Sequence, residues 1–88
     1  MLIDQPIWPA HNTLWAHLVS DTSLEELHRF ADLAGIALRG FDLDHYDVPA
    51  ERWQAIVELG ATPVGMREFV RRLEASGLRV AQRDRSSS

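Results

Sequence analysis

Six consecutive residues, from Asp42 to Asp47, carry three carboxylates, an imidazole and a phenol. His45 and Asp47 are two residues apart, so on a β-strand both side chains point to the same face. That arrangement permits either a shared divalent metal ion or a carboxylate that orients the imidazole and raises its pKa. Asp42 and Asp44 would share the opposite face, where they can bind a hard cation together with water. The alternative is a solvated turn whose acids cap the following helix.

A second imidazole, that of His17, lies inside the nearly continuous apolar run Leu14–Val19, and Asp21 follows this run. His17 is a candidate metal ligand or general base. Alternatively, it is a core histidine, which needs a hydrogen-bond partner because burial without one is costly. Asp21 can cap the following helix, bind a metal ion, or do both. The candidate catalytic residues are therefore His17, His45 and Asp47, and the candidate ligands of a divalent metal ion are Asp21, His45 and Asp47.

Arg52 is the candidate residue for holding an anionic group. It lies in the first turn of a predicted helix, where a cation opposes the helix dipole unless an anion is nearby. That anion is either Asp47 or a bound phosphate or carboxylate. Tyr46 and Asp4 are the other candidate ligand-binding residues. The sequence has no glycine-rich phosphate loop and no serine nucleophile elbow, which argues against a nucleotide cofactor.

The elements that must position these residues follow from hydrophobic periodicity and from turn residues. Strands are predicted over Leu2–Ile3, 14–19, about 43–47 and 61–64. Helices are predicted from about Ser23 to Gly35, from Pro49 to Gly60, and over 66–76. Ser23 with Glu26 fits the capping-box pattern at the start of the first helix, as does Thr22 with Glu25. Pro6 and Pro9 argue against a regular helix or central strand between the first two strands, and residues 10–13 are expected to form a loop.

Alternating strands and helices predict an α/β fold, with a short, mostly parallel sheet flanked by about three helices. One domain is expected over residues 1–78, followed by a flexible C-terminal tail over 79–88. Ligands of open parallel sheets bind beyond the carboxyl ends of the strands. Asp4, Ser20-Asp21 and the segment His45-Tyr46-Asp47 would gather at that edge.

Composition excludes several classes of function. The 88-residue chain has no cysteine, which excludes disulfides, thiolate zinc sites and cysteine nucleophiles. Residues 1–60 carry a net charge of −7 and residues 61–88 a net charge of +3, and all nine basic residues are arginine. Such an acidic body disfavours duplex nucleic acid as a partner. No apolar run is long enough to span a membrane, and no signal-peptide pattern occurs, so a cytoplasmic protein is expected. The edges of so small a sheet leave room for a homodimer.

A family resemblance covers about residues 2–78. The residues that carry it are Asp4, Trp15–Asp21, Leu27–Ala31, Leu33–Gly35, His45–Val48, Arg52 and Leu59–Ala61. In these residues the chain resembles a small uncharacterised family of bacterial and phage proteins known as domain of unknown function 4031. It departs from the family at the start, where members often have Val-Tyr-Val-Asp in place of Met1-Leu2-Ile3-Asp4. The resemblance implies a compact α/β domain, and the family carries no established activity.

Two functions of different kinds fit these residues. The first is a small metal-dependent hydrolase acting on a phosphoester, in which the His/Asp residues bind the metal or serve as acid and base and Arg52 holds the anion. The second is a non-catalytic binding or regulatory module, in which the His/Asp cluster is structural. Its partner surface would involve Trp8 or the arginines of the last helix, Arg67, Arg71 and Arg72. Two imidazole rings within reach of one ligand are required by the first function only.

Overall fold

The computed structural model describes residues 1–79 of the chain, and within them it forms one six-stranded sheet and three α-helices. The strands are β1 (Leu2–Ile3), β2 (Trp8–Ala10), β3 (Thr13–Val19), β4 (Phe41–Asp42), β5 (His45–Pro49) and β6 (Thr62–Pro63). The helices are α1 (Leu24–Leu33), α2 (Ala50–Glu58) and α3 (Met66–Ser76). The predicted tail lies outside the described residues except for Arg79. The α/β class and the three helices agree with the prediction.

The sheet is mixed, so the prediction of a mostly parallel sheet is wrong. Its strand order is β4-β5-β3-β1-β6, with β2 also paired to β3. Only the β1–β6 pair is parallel among the described strands, and the other four pairs are antiparallel. The physical reason is two short hairpins. His11 and Asn12 join β2 to β3 with φ values of 49° and 65°, as a two-residue hairpin turn of type I′ requires. Leu43 and Asp44 join β4 to β5.

Two strands, β2 and β4, were not predicted. Pro9 lies in the middle of β2, yet this strand pairs with β3 alone. Proline is tolerated on such an edge strand because its missing N–H need not face a partner. The segment before β3 is therefore the first half of a hairpin rather than a loop.

The helix boundaries follow the predicted signals closely. The Ser23 side chain caps α1 by accepting a hydrogen bond from the backbone N–H of Glu26. Pro49 is the last residue of β5 and immediately precedes α2, so it lies one position before the predicted first turn. Gly77 ends α3 in the left-handed conformation, at φ 78°. Within the described part of the chain, no helix combines the length and apolar character needed to cross a membrane.

The two faces of the sheet are covered unequally. On one face, α1 and α2 pack on Ile3, Ala16, Leu18, Tyr46 and Val48 to form the larger hydrophobic cluster. On the other face, α3 packs through Phe69 and Leu73 on Leu2 and Val19, which form a smaller cluster. Alternation along the strands places the odd-numbered residues of β3 and β5 on this second face. We call it the α3 face.

Candidate metal centre

The two candidate histidines lie on the α3 face because of strand register. His17 of β3 lies directly opposite Asp47 of β5, and Leu18 lies opposite Tyr46. His45 is two residues before Asp47 on the same strand, so all three side chains point to the same side of the sheet. The ring of Phe69 in α3 lies 6.3 Å from the ring of His17, centroid to centroid. These residues therefore lie next to the α3 helix.

The three side chains form one compact group. The centroids of the His17 and His45 rings are 4.8 Å apart. Asp47 Oδ1 lies 3.2 Å from His45 Nε2 and 4.0 Å from His17 Nε2. Each residue offers a ligand atom, and the three atoms lie within 4.8 Å of one another. The group can hold a metal ion, and its two imidazoles and one carboxylate form a donor set found at catalytic zinc and non-haem iron sites.

A buried carboxylate forms a hydrogen bond with Nδ1 of each imidazole. Asp4 Oδ2 lies 2.9 Å from His17 Nδ1, and Asp4 Oδ1 accepts the backbone N–H of His17 at 2.6 Å. Asp44 Oδ1 lies 2.8 Å from His45 Nδ1. Asp4 is 3% exposed and Asp44 is 1% exposed. Each carboxylate accepts the Nδ1–H of its imidazole, so Nε2 is the ring nitrogen that faces Asp47 in both histidines.

The same contacts shift the ionisation of the group in the absence of a metal ion. Burial disfavours the His45 cation, but the hydrogen bonds and charges of Asp47 and Asp44 outweigh burial, so the pKa of His45 is raised above 6.5. The hydrogen bond from His45 holds the pKa of Asp47 below its ordinary value, against a smaller opposing effect of burial. Without a metal ion, the pair is therefore stabilised as imidazolium and carboxylate.

Local backbone structure supplies the Asp44–His45 pair. Leu43 has a φ of 58°, a left-handed conformation that is costly for a bulky side chain. This turn reverses the chain between β4 and β5, and it places buried Asp44 directly before His45. Two tryptophans fix the position of Asp4 in the Asp4–His17 pair. Trp8 Nε1 donates to Asp4 Oδ2 at 3.3 Å, and Trp53 Nε1 donates to the Asp4 carbonyl oxygen at 2.8 Å.

A cavity of about 310 Å³ borders the histidine pair on the side of α3. Both imidazoles and their carboxylate partners line it, together with Trp8, Val19, Arg79 and one side of α3. Asp47 is not among the lining residues, and its side chain is 45% exposed. The group of three candidate ligands therefore lies at the edge of the cavity, with one side open to solvent.

The other predicted site residues lie elsewhere. The Asp21 carboxylate accepts a hydrogen bond from Arg72 Nη2 at 2.6 Å, which links the start of α1 to α3. Arg52 donates to the carbonyl oxygens of Ala34 and Gly35 at the end of α1, at 2.5 and 3.5 Å. A cation there is favourable to the α1 dipole, so the helix that Arg52 stabilises is α1 rather than its own.

Tyr46 lies on the opposite face of the sheet from its neighbours His45 and Asp47. It is buried, and its hydroxyl lies 2.8 Å from His28 Nδ1. Burial raises the pKa of the Tyr46 phenol, and the charge of Asp32 raises it further. Strand alternation alone predicts this placement.

Two residues have roles that the sequence reasoning missed. Asp44 was expected to share a face with Asp42, but it lies in the turn and holds His45, whereas Asp42 is exposed. Asp4 was a candidate ligand-binding residue, and the structure places it against His17. The Asp4–His17 contact joins residues thirteen positions apart, so local spacing does not reveal it. The Asp44–His45 contact joins neighbouring residues, but it depends on the turn at Leu43, which the sequence did not predict.

Comparison with known proteins identifies the family. The model of the family described as "Protein of unknown function (DUF4031)" matches residues 1–76 of the 88. No curated protein and no solved structure gives a significant match. The chain belongs to the DUF4031 family.

Proposed function

We propose that this member of the DUF4031 family binds one divalent transition-metal ion through His17, His45 and Asp47. The observation that carries the proposal is the pairing of both imidazoles with buried carboxylates, Asp4 and Asp44. A histidine that binds a metal ion through one ring nitrogen usually donates its other N–H to a carboxylate. A structural histidine is satisfied by that one carboxylate. Here each of the two histidines has such a carboxylate at Nδ1, and both also direct Nε2 toward the same third carboxylate, Asp47.

The distances support an ion of the zinc class. Metal–nitrogen and metal–oxygen bonds of about 2.0–2.2 Å at tetrahedral angles place neighbouring ligand atoms about 3.4 Å apart. The His45–Asp47 separation of 3.2 Å lies close to that value, the His17–Asp47 separation is 4.0 Å, and the three ligand atoms lie within 4.8 Å of one another, so the group would close slightly around an ion. Imidazole with carboxylate suits Zn²⁺, Mn²⁺, Fe²⁺ and Co²⁺ better than Ca²⁺ or Mg²⁺.

The proposed reaction is hydrolysis of a phosphoester. Three protein ligands would leave room on an ion for water and substrate, and the partial exposure of His17 and Asp47 would give both access. A divalent ion held there would supply charge stabilisation and would lower the pKa of a water bound to it. The water oxygen forms a bond to phosphorus, the ester P–O bond breaks, and the alcohol leaves with the proton that the water released. The Asp47 oxygen that does not bind the ion would accept that proton in transit.

The first experiment measures metal binding with a matched pair of variants. Asp47→Asn keeps the size of the side chain but removes the ligand charge, and Asp32→Asn makes the same change at an exposed acid of α1, which packs on the other face of the sheet. Isothermal titration of metal-free protein with Zn²⁺ and Mn²⁺ should give one site per chain in the wild type and in Asp32→Asn. Affinity should fall at least about tenfold in Asp47→Asn, given the worth of one charged ligand.

Hydrolysis is then tested with chromogenic esters. Metal-loaded wild type should release 4-nitrophenol from 4-nitrophenyl phosphate or from its methyl ester, and Asp47→Asn should not. Absence of metal binding would overturn the whole proposal and favour the non-catalytic binding module. Metal binding without release of 4-nitrophenol would overturn the hydrolase and leave the metal centre intact.

The binding module is also supported by one observation. Trp8 is 41% exposed and Met66 is 43% exposed, and both line the cavity, so an apolar surface lies beside the cluster. In that case the cluster would hold the sheet in register and would bind no metal, and His45→Ala would leave partner binding intact.

A further inference from the structure

The cavity beside the candidate metal centre has two chemically different walls. One wall consists of the imidazoles of His17 and His45. The other is apolar and comes from α3, with Phe69, Val70 and Leu73 as its central residues. A volume of about 310 Å³ is at the small end of the range for ligand sites, enough for one ring or a short alkyl chain. A ligand that fills it must therefore combine a metal-binding group with an apolar group.

The aromatic residues next to the histidines favour a ring as the apolar group. The Trp8 ring lies 5.4 Å from the His17 ring at 49°, and the Phe69 ring lies 6.3 Å from it at 43°. Tilted aromatic surfaces at these distances are suited to edge-to-face contact with a further ring. The hydrogen bond from Trp8 to Asp4 also restricts the Trp8 side chain, so this aromatic surface is pre-organised for binding.

The charge around the site limits the charge of the ligand. Asp4, Asp44 and Asp47 supply three negative charges against the two of a divalent ion, so the centre is net negative even with neutral imidazoles. The nearby cation Arg79 offers little compensation, because its Nη1 lies 3.3 Å from Glu74 Oε2. A dianionic phosphate is repelled by such a centre more strongly than a monoanionic one.

We propose that the cavity binds the apolar group of a monoanionic phosphodiester, whose phosphate reaches the metal ion at the edge of the cavity. This inference rests on the proposed function and names its substrate class: phosphodiesters that carry an aryl or alkyl group, in preference to phosphomonoesters. During hydrolysis, water adds to phosphorus and one ester P–O bond breaks, which gives an alcohol and a phosphomonoester. That product gains a negative charge, and the negative centre favours its release.

Three small probes separate the two parts of this inference. Methyl phenyl phosphate and dimethyl phosphate have the same charge and differ by the ring. Methyl phenyl phosphate and phenyl phosphate share the ring and differ in charge above pH 7. By calorimetry with the zinc-loaded full chain, we expect methyl phenyl phosphate to bind at least about tenfold tighter than dimethyl phosphate, as burial of a ring implies. It should also bind tighter than phenyl phosphate.

One variant tests whether the ring of the ligand binds in this cavity. Met66→Glu introduces a carboxylate at a lining residue that is exposed, so the fold should survive. The new carboxylate repels both monoanions equally, so this repulsion cancels in the ratio of the affinities for methyl phenyl phosphate and dimethyl phosphate. Only the ring of methyl phenyl phosphate would remove water from the Glu side chain, and this cost remains in the ratio. The ratio should fall several-fold in Met66→Glu. It should stay unchanged in Leu33→Glu, where the same change is made on α1, at a residue that is not among the cavity-lining residues.

The outcomes distinguish this inference from the proposed function. Equal affinities for the two monoanions, tighter binding of phenyl phosphate, or an unchanged ratio in Met66→Glu would overturn the inference and leave the metal centre intact. Failure of the protein to bind zinc would overturn the proposed function and the inference together.

Discussion

The two faces of the sheet serve different ends, although their residues alternate along the same strands. The face covered by α1 and α2 carries Leu18, Tyr46 and Val48, all at most 1% exposed. The α3 face carries His17, His45 and Asp47 on the same two strands, and one helix covers only part of it. Adjacent residues such as Leu18 and His17 thus belong to different environments. Because the core residues of one face are fully buried under two helices, the other face can hold polar groups with little loss of hydrophobic core.

The largest expected effect is on the covered face. Leu18→Ala should lower the free energy of unfolding by about 2–5 kcal/mol, because it removes buried atoms and leaves a cavity between the sheet and two helices. Urea denaturation measures this change, and Leu33→Ala, at a side chain that is 79% exposed, is the control with an expected change within about 0.5 kcal/mol. If Leu18→Ala weakened zinc binding by the folded protein as strongly as it weakens the fold, the two faces would not be independent.

The next effect is on the α3 face. Asp44→Asn should lower zinc affinity about 10- to 100-fold, because the amide no longer fixes the His45 tautomer with a full charge. Calorimetry measures the affinity, and Asp32→Asn, at an exposed acid of α1, is again the matched control. Unchanged zinc affinity in Asp44→Asn would show that the Asp44–His45 pair is structural only.

The smallest effect is a pH dependence that separates the two states of the site. In the metal-free protein, the raised pKa of His45 stabilises the fold below about pH 6.5, and this contribution is lost as the pH rises through the folded value. The lowered pKa of Asp47 gives a contribution that is present above its ordinary value of 3.8 and lost as the pH falls further. Metal binding needs neutral imidazole, so zinc affinity should instead rise with pH.

Thermal unfolding of metal-free and zinc-loaded protein between pH 5.5 and 8.5 tests this contrast. The melting temperature of the metal-free protein should fall relative to that of Asp47→Asn as the pH rises, and the stabilisation by zinc should grow. Parallel pH profiles for the metal-free and zinc-loaded protein would contradict the coupling between proton and metal at His45.

Local signals in the sequence predicted the helices well, because caps and periodicity are local. Ser23, Pro49 and Gly77 lie at or next to the helix boundaries that the structure has. Strand direction was predicted wrongly because it depends on turns with unusual residues. His11-Asn12 and Leu43-Asp44 lack the glycine that usually marks a two-residue hairpin. The edge strand β2 was not predicted because Pro9 lies in the middle of it.

The candidate site was partly predictable. Period-two alternation places His45 and Asp47 on one face, and the same rule separates Tyr46 from them. The meeting of His17 with Asp47 depends on antiparallel register, which the sequence analysis did not predict. The partners of Arg52 and Asp21, on α1 and α3, are set by helix packing and leave no local trace in the sequence.

The short turn at Leu43-Asp44 has a consequence for how this family can vary. Substitutions on the exposed surface leave strand register unchanged, but an insertion or deletion of one residue between His45 and Asp47 would put these two side chains on opposite faces of the sheet. An insertion within the turn would separate Asp44 from its histidine. Length changes should therefore be rare between Phe41 and Pro49 in functional relatives and more frequent in the segments that precede and follow α2.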